Sequence, residues 1–103
     1  MNKYKVLIHG TNLWSNADGK LEKYGFYAPR YVAAYTENAA KEMALEEFIA
    51  EPKWQEFLRG LQNPLNDPPQ LAVDDEVDQI ESFGGITNRY PGYALYKESK
   101  GET

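Results

Sequence analysis

GFYAPRYVAAYTENAAKEMALEEFIA, Gly25 to Ala50, carries two hydrophobic periods back to back. In extended chain, successive side chains alternate between faces, so residues two or four apart share one. Val32 and Ala34 therefore share a side, while Tyr27, Tyr31 and Tyr35 share the other. At Thr36 the period changes to 3.6. Ala40, Ala44, Leu45, Phe48 and Ile49 spread over one broad side, with Glu42, Glu46 and Ala50 opposite. Thr36 suits an N-cap, and Glu37 suits the first turn beside the helix dipole. A strand running directly into an amphipathic helix decides for an α+β chain.

Toward the N-terminus, YKVLIHGTNLW, Tyr4 to Trp14, reads as a strand. Val6 and Ile8 fall on one face; Leu7, His9 and Leu13 fall on the other. SNADGKLEK follows, with the turn pair Asp18-Gly19. Two strands with a polar connection predict an antiparallel hairpin. The connection looks longer than the tightest turns, which leaves the register open. Pro29 has no backbone donor, so it marks either an edge strand or a bulge.

Toward the C-terminus, Pro52 interrupts the helix and suits the first turn of a second one. Trp54, Phe57, Leu58 and Leu61 then follow helical spacing, and Gly60 is a stop signal. Prolines make Gln62 to Gln70 a loop. Leu71 to Phe83 reads as a strand with a bulge or an end near Asp78, although Val77, Ile80 and Phe83 also fit a helical turn. Gly84-Gly85 breaks it. Pro91 to Lys97 is the last strand, and a frayed tail is expected from about residue 98. The expected fold is a single α+β domain over 1–103. It has a four-stranded antiparallel sheet in ββααββ order, with one long and one short helix packed on one face.

Composition bounds the function. A chain of 103 residues, 42% hydrophobic, buries roughly two-thirds of its unfolded surface, enough for a core without staples. The net charge of −5 and the lack of a Lys/Arg cluster argue against nucleic-acid binding. The absence of cysteine excludes disulfides, thiolate metal sites and Cys nucleophiles. MNKYKVLIHG lacks the apolar run of a signal peptide, and no segment is long enough to span a bilayer; a cytoplasmic protein is expected.

GFYAPRYVAAYTENAA resembles a small family of bacterial proteins with no assigned function. The likeness extends to a YKVLI-G-N strand, matched at Tyr4 to Ile8, Gly10 and Asn12. It continues in G-F-Y-x-x-R-x-V-x-A, matched at Gly25, Phe26, Tyr27, Arg30, Val32 and Ala34. A Pro-rich loop at Pro68-Pro69, acidic Asp74 to Asp78, and Pro91-Gly92-Tyr93 complete it. The resemblance implies a compact α+β domain of bacterial or phage origin, and no activity, cofactor or site residue.

Three groups of residues are candidates for function. With Val32 and Ala34 under the helix, Tyr27, Tyr31 and Tyr35 join Leu7 and His9 on the uncovered sheet face. Such a face fits a protein partner or a second copy, although tyrosines also serve simply as good strand formers. Asp74, Glu76 and Asp78 share one strand face and add charge for a basic partner; as a solvated strand they would discourage edge pairing instead. The run lacks the spacing and glycine of an EF-hand calcium loop.

The only histidine is His9, so neither a zinc set nor a convincing Ser-His-Asp set can be assembled, and no catalytic, metal or cofactor residue is assigned. Arg30 shares the parity of Val32. It either points inward to a carboxylate, Asp75 being one candidate, or is turned out by a bulge at Pro29.

The leading expectation is a non-enzymatic protein-binding or self-associating module, with an inhibitor or immunity-type protein as one form of it. The alternative is a small enzyme or small-ligand binder using His9, Arg30 and neighbouring tyrosines.

Overall fold

The computed structural model describes residues 1–17, 19–60, 68–84 and 92–98. Its elements run β1 (Asn2–Ala17), β2 (Lys20–Ala34), α1 (Glu37–Ala50), α2 (Pro52–Arg59), β3 (Gln70–Ile80) and β4 (Ala94–Lys97). Among the described residues the strands form one antiparallel sheet, ordered β3-β1-β2-β4. Of the predicted loop from Gln62 to Gln70, residues 62–67 lie outside the described residues and Gln70 already belongs to β3; Gly85 of the predicted Gly84-Gly85 break and the tail beyond residue 98 also lie outside them. No helix among the described residues is long and apolar enough to cross a membrane.

β1 and β2 form a hairpin longer and tighter than expected. Pairing continues to Ala17 and Lys20, which leaves only Asp18 and Gly19 between the strands. Gly19 has φ 76°, a left-handed value that a residue without Cβ adopts freely. Pro29 sits where β2 is paired by β1 alone, beyond the last β2–β4 pair at Tyr27 and Ala94. Of the two readings, the edge holds there.

Even-numbered residues make the core. Tyr4, Val6 and Ile8 from β1 join Phe26, Ala28, Val32 and Ala34 from β2, under Ala40, Ala44 and Phe48 of α1. Thr36 caps α1, its hydroxyl accepting from the Ala39 N–H at 3.1 Å. Ile49 departs from the expected apolar side and is exposed. The α2 residue Trp54 completes a cluster of three rings, 5.5 Å from Phe26 and 5.2 Å from Phe48.

Leu13 is a correction: it is fully buried, not on the outer face. The β1–β2 register shifts between Gly10 and Leu13, and Asn12 takes φ 62°. The extra residue flips the parity beyond it, so Leu13 turns inward and its neighbours exchange faces.

The ambiguous third segment is a strand throughout Gln70–Ile80, with an irregularity earlier than expected. Val77 pairs with Val6 and Val73 with Ile8, so Asp74, Asp75 and Glu76 stand opposite Leu7 alone. Both valines remain partly buried against the core, while the three acids are exposed on an outer strand.

Candidate functional site

On the hairpin face that carries the odd-numbered residues up to His9 and from Lys23 onward, no described helix joins the core cluster, and the described side chains are partly or fully exposed. Its centre is an aromatic group built across three strands. His9 of β1 lies directly opposite Tyr27 of β2, and their rings stack at 4.4 Å and 7°. Tyr96 of β4 lies 5.7 Å from Tyr27, and its hydroxyl shares a hydrogen bond of 2.6 Å with His9 Nε2. Burial first, then the neighbouring Tyr27 and Glu98, push the Tyr96 pKa up, so the phenol keeps its proton.

Gly25 makes this arrangement fit. It pairs with Tyr96, and a Cβ there would overlap the Tyr96 ring. Glu98 then fastens the edge strand to the bulge. Its carboxylate accepts from the Asn12 N–H at 2.7 Å and lies 3.8 Å from Lys23 Nζ.

The other predicted contact residues scatter around this centre. Leu7 pairs with Pro29, and Tyr31 with Lys5, on the same face. Tyr35 lies past the end of β2 and is 75% exposed. Asp78 pairs with Lys5, a cross-strand arrangement of opposite charges. Asp74 and Glu76 belong to the β3 irregularity at the sheet edge. This face therefore carries aromatic and aliphatic side chains beside Lys5 of the inner strand, with acids along its β3 rim.

No family model, no curated protein and no solved structure matches this chain.

Arg30 points inward and is 2% exposed. Its partner is Glu51, not Asp75. Nε donates to Oε2 at 2.7 Å and Nη2 to Oε1 at 2.9 Å, a two-pronged ion pair, while Nη1 donates to the Pro29 carbonyl at 2.6 Å. The guanidinium also lies 5.0 Å from the Phe48 ring. Glu51 occupies the joint between the helices. Pro52 disfavours helical backbone in the residue before it, and Glu51 is extended (φ −65°, ψ 130°). Its N–H donates to the Phe48 carbonyl and its own carbonyl accepts from Gln55.

His9 and Arg30 thus lie on opposite faces of the sheet, and no site containing both is formed. Among the described residues no group of three or more His, Cys, Asp or Glu side chains is placed to hold a metal ion. Sequence reasoning missed Tyr96, Glu98 and Glu51. A glycine within a strand, Gly25, was the one local sign that a large side chain passes closely over it.

Proposed function

We propose that this protein is a non-enzymatic binding module that holds a basic protein partner against the uncovered sheet face. Tyr27, His9, Tyr31, Leu7 and Tyr96 supply the contact. One observation carries the reading. Tyr27 is stacked on a histidine that Tyr96 holds in place, yet 38% of Tyr27 remains exposed. Rings fixed before contact lose little entropy on binding, and they offer large area with polar tips.

The acids at the rim, Asp74, Glu76 and Asp78, together with the net charge of −5, speed encounter with a basic partner and repel acidic ones. An inhibitor or immunity-type protein for a basic toxin has this character. The same reading sets the protein in the bacterial cytoplasm, among the small α+β proteins its strands resemble.

The test compares wild type with a Tyr27→Ser, Tyr31→Ser, Tyr35→Ser variant in capture from source-cell lysate, beside thermal melting of both. A basic protein held by wild type, released by added salt and lost by the still-folded variant is the expected result. Equal capture by both proteins would overturn the reading. Sedimentation at two concentrations separates the remaining case, in which the partner is a second copy.

A further inference from the structure

β3 ends the sheet on one side, with β1 as its one strand neighbour among the described residues. In an antiparallel ladder the N–H and C=O of one residue point to the same side, and successive residues alternate. The Glu98 N–H donates to the Lys23 carbonyl at 2.9 Å, so Lys23 and the odd residues after it in β2 turn toward β4, and the even ones toward β1. Carried across the pairs Tyr4–Val32 and Val6–Arg30, this alternation turns Lys3, Lys5 and His9 toward Ile80, Asp78 and Ala72. The backbone groups of Leu71, Val73, Val77 and Gln79 therefore point away from the sheet. Among the described residues no hydrogen bond reaches them from that side.

We infer that this edge takes an extended, basic segment of the partner as a fifth strand. The inference rests on the basic-partner reading above and names the part of the partner that meets the acidic rim. The irregularity opposite Leu7 divides the edge into two short ladders, Leu71 to Val73 and Val77 to Gln79, with the three acids between them. A segment of about nine residues spans both. Leu71, Val73 and Val77 are only partly buried against the core, so an added strand also covers their side chains. Main-chain bonds supply the affinity, and the acids choose the sequence.

Charge decides against a second copy as the occupant. β3 runs Gln70–Ile80, which puts Asp75 at its midpoint. Two-fold antiparallel pairing about that point sets Asp75 against Asp75 and Asp74 against Glu76, like charges face to face. All three side chains are exposed. Charges on an edge strand guard it against indiscriminate pairing. Here the guard has one sign, and lysine or arginine in the facing positions turns repulsion into attraction.

The probe is a peptide of about nine residues alternating lysine and valine, titrated into 15N-labelled protein and followed by amide NMR. The amides of Leu71, Val73, Val77 and Gln79 are expected to shift saturably and to exchange with solvent about tenfold more slowly when bound. The same peptide with glutamate for lysine should bind about tenfold more weakly or less, and so should the basic peptide to an Asp74→Asn, Asp75→Asn, Glu76→Gln protein. Two N-methylated forms test for a ladder. An added strand uses the N–H groups of one side only, so methyls on the valines should abolish binding while methyls on the lysines leave it. These changes lie in the peptide and leave the fold untouched. The Tyr27→Ser, Tyr31→Ser, Tyr35→Ser protein should bind the peptide as wild type does. The inference is overturned by no shift at the four amides, by equal binding of the acidic and basic peptides, or by equal binding of the two methylated forms. Loss of the peptide in the tyrosine variant also overturns it, by placing the segment on the uncovered face. Capture from lysate turns on the tyrosines and this titration on β3, so a failure of either reading is seen separately.

Discussion

Phe26 and Tyr27 are neighbours in sequence and opposites in the fold. Phe26 is fully buried between Gly10, Phe48 and Trp54; Tyr27 stacks on His9 in partial contact with water. Each face has one large ring seated on a glycine, Phe26 on Gly10 and Tyr96 on Gly25. The core face uses that device to fill space beneath helices. The other face builds the same kind of packing and leaves it uncovered. Among the described residues no helix lies over this packing, and that is what motivates the proposed partner face.

The contrast gives graded expectations. Phe26→Ala should destabilise by about 3–5 kcal/mol, enough to unfold a marginal domain, whereas Tyr27→Ser, which loses two ring contacts on a partly exposed face, should cost about 1–2 kcal/mol in chemical denaturation. A comparable loss for the two would mean that both faces are core. Glu51→Ala takes the two-pronged carboxylate away from the buried Arg30 and should cost about 3–5 kcal/mol. Lys97→Ala removes an exposed ion pair with Glu22, 3.0 Å long, and should cost below about 1 kcal/mol.

The glycines come next. Gly10→Ala drives a Cβ into the Phe26 ring, which is enclosed, and should cost about 1–3 kcal/mol. Gly25→Ala meets Tyr96, which can swing into solvent. It should lower the melting temperature less, while breaking the Tyr96–His9 hydrogen bond as read from the His9 ring signals in NMR.

The smallest effect is alkaline. Tyr93 and Tyr96 both have pKa values raised above that of the unfolded chain. Their contribution is intact below pH 10 and is lost as pH rises through the folded-state values, because the unfolded state releases these protons first. Denaturation at stepped pH should show stability falling above pH 10, and falling less in a Tyr93→Phe, Tyr96→Phe protein.

Much of this plan was legible in the sequence. The switch of period at Thr36 placed β2 and α1, and parity placed Val6, Ile8, Val32 and Ala34 inside with His9, Tyr27 and Tyr31 outside. Parity failed at Leu13 because a single residue, Asn12, enters a left-handed conformation that leaves no mark on the hydrophobic pattern. The site itself was half visible. His9 and Tyr27 could be put on one face, yet their stacking with Tyr96 depends on a pairing across 87 residues, which no local spacing records. Arg30 could be given a carboxylate, but Glu51 reaches it only through the direction of the chain at the helix joint.

Site-specific crosslinking tests the central claim most directly. p-Benzoylphenylalanine would be placed at position 31, on the uncovered face, and in a second protein at position 46, on the exposed side of α1. Under irradiation in source cells, the first should form a discrete adduct with a partner or a second copy, and the second should form none. Adducts of equal yield and identity from both positions, or none from position 31, would contradict the account.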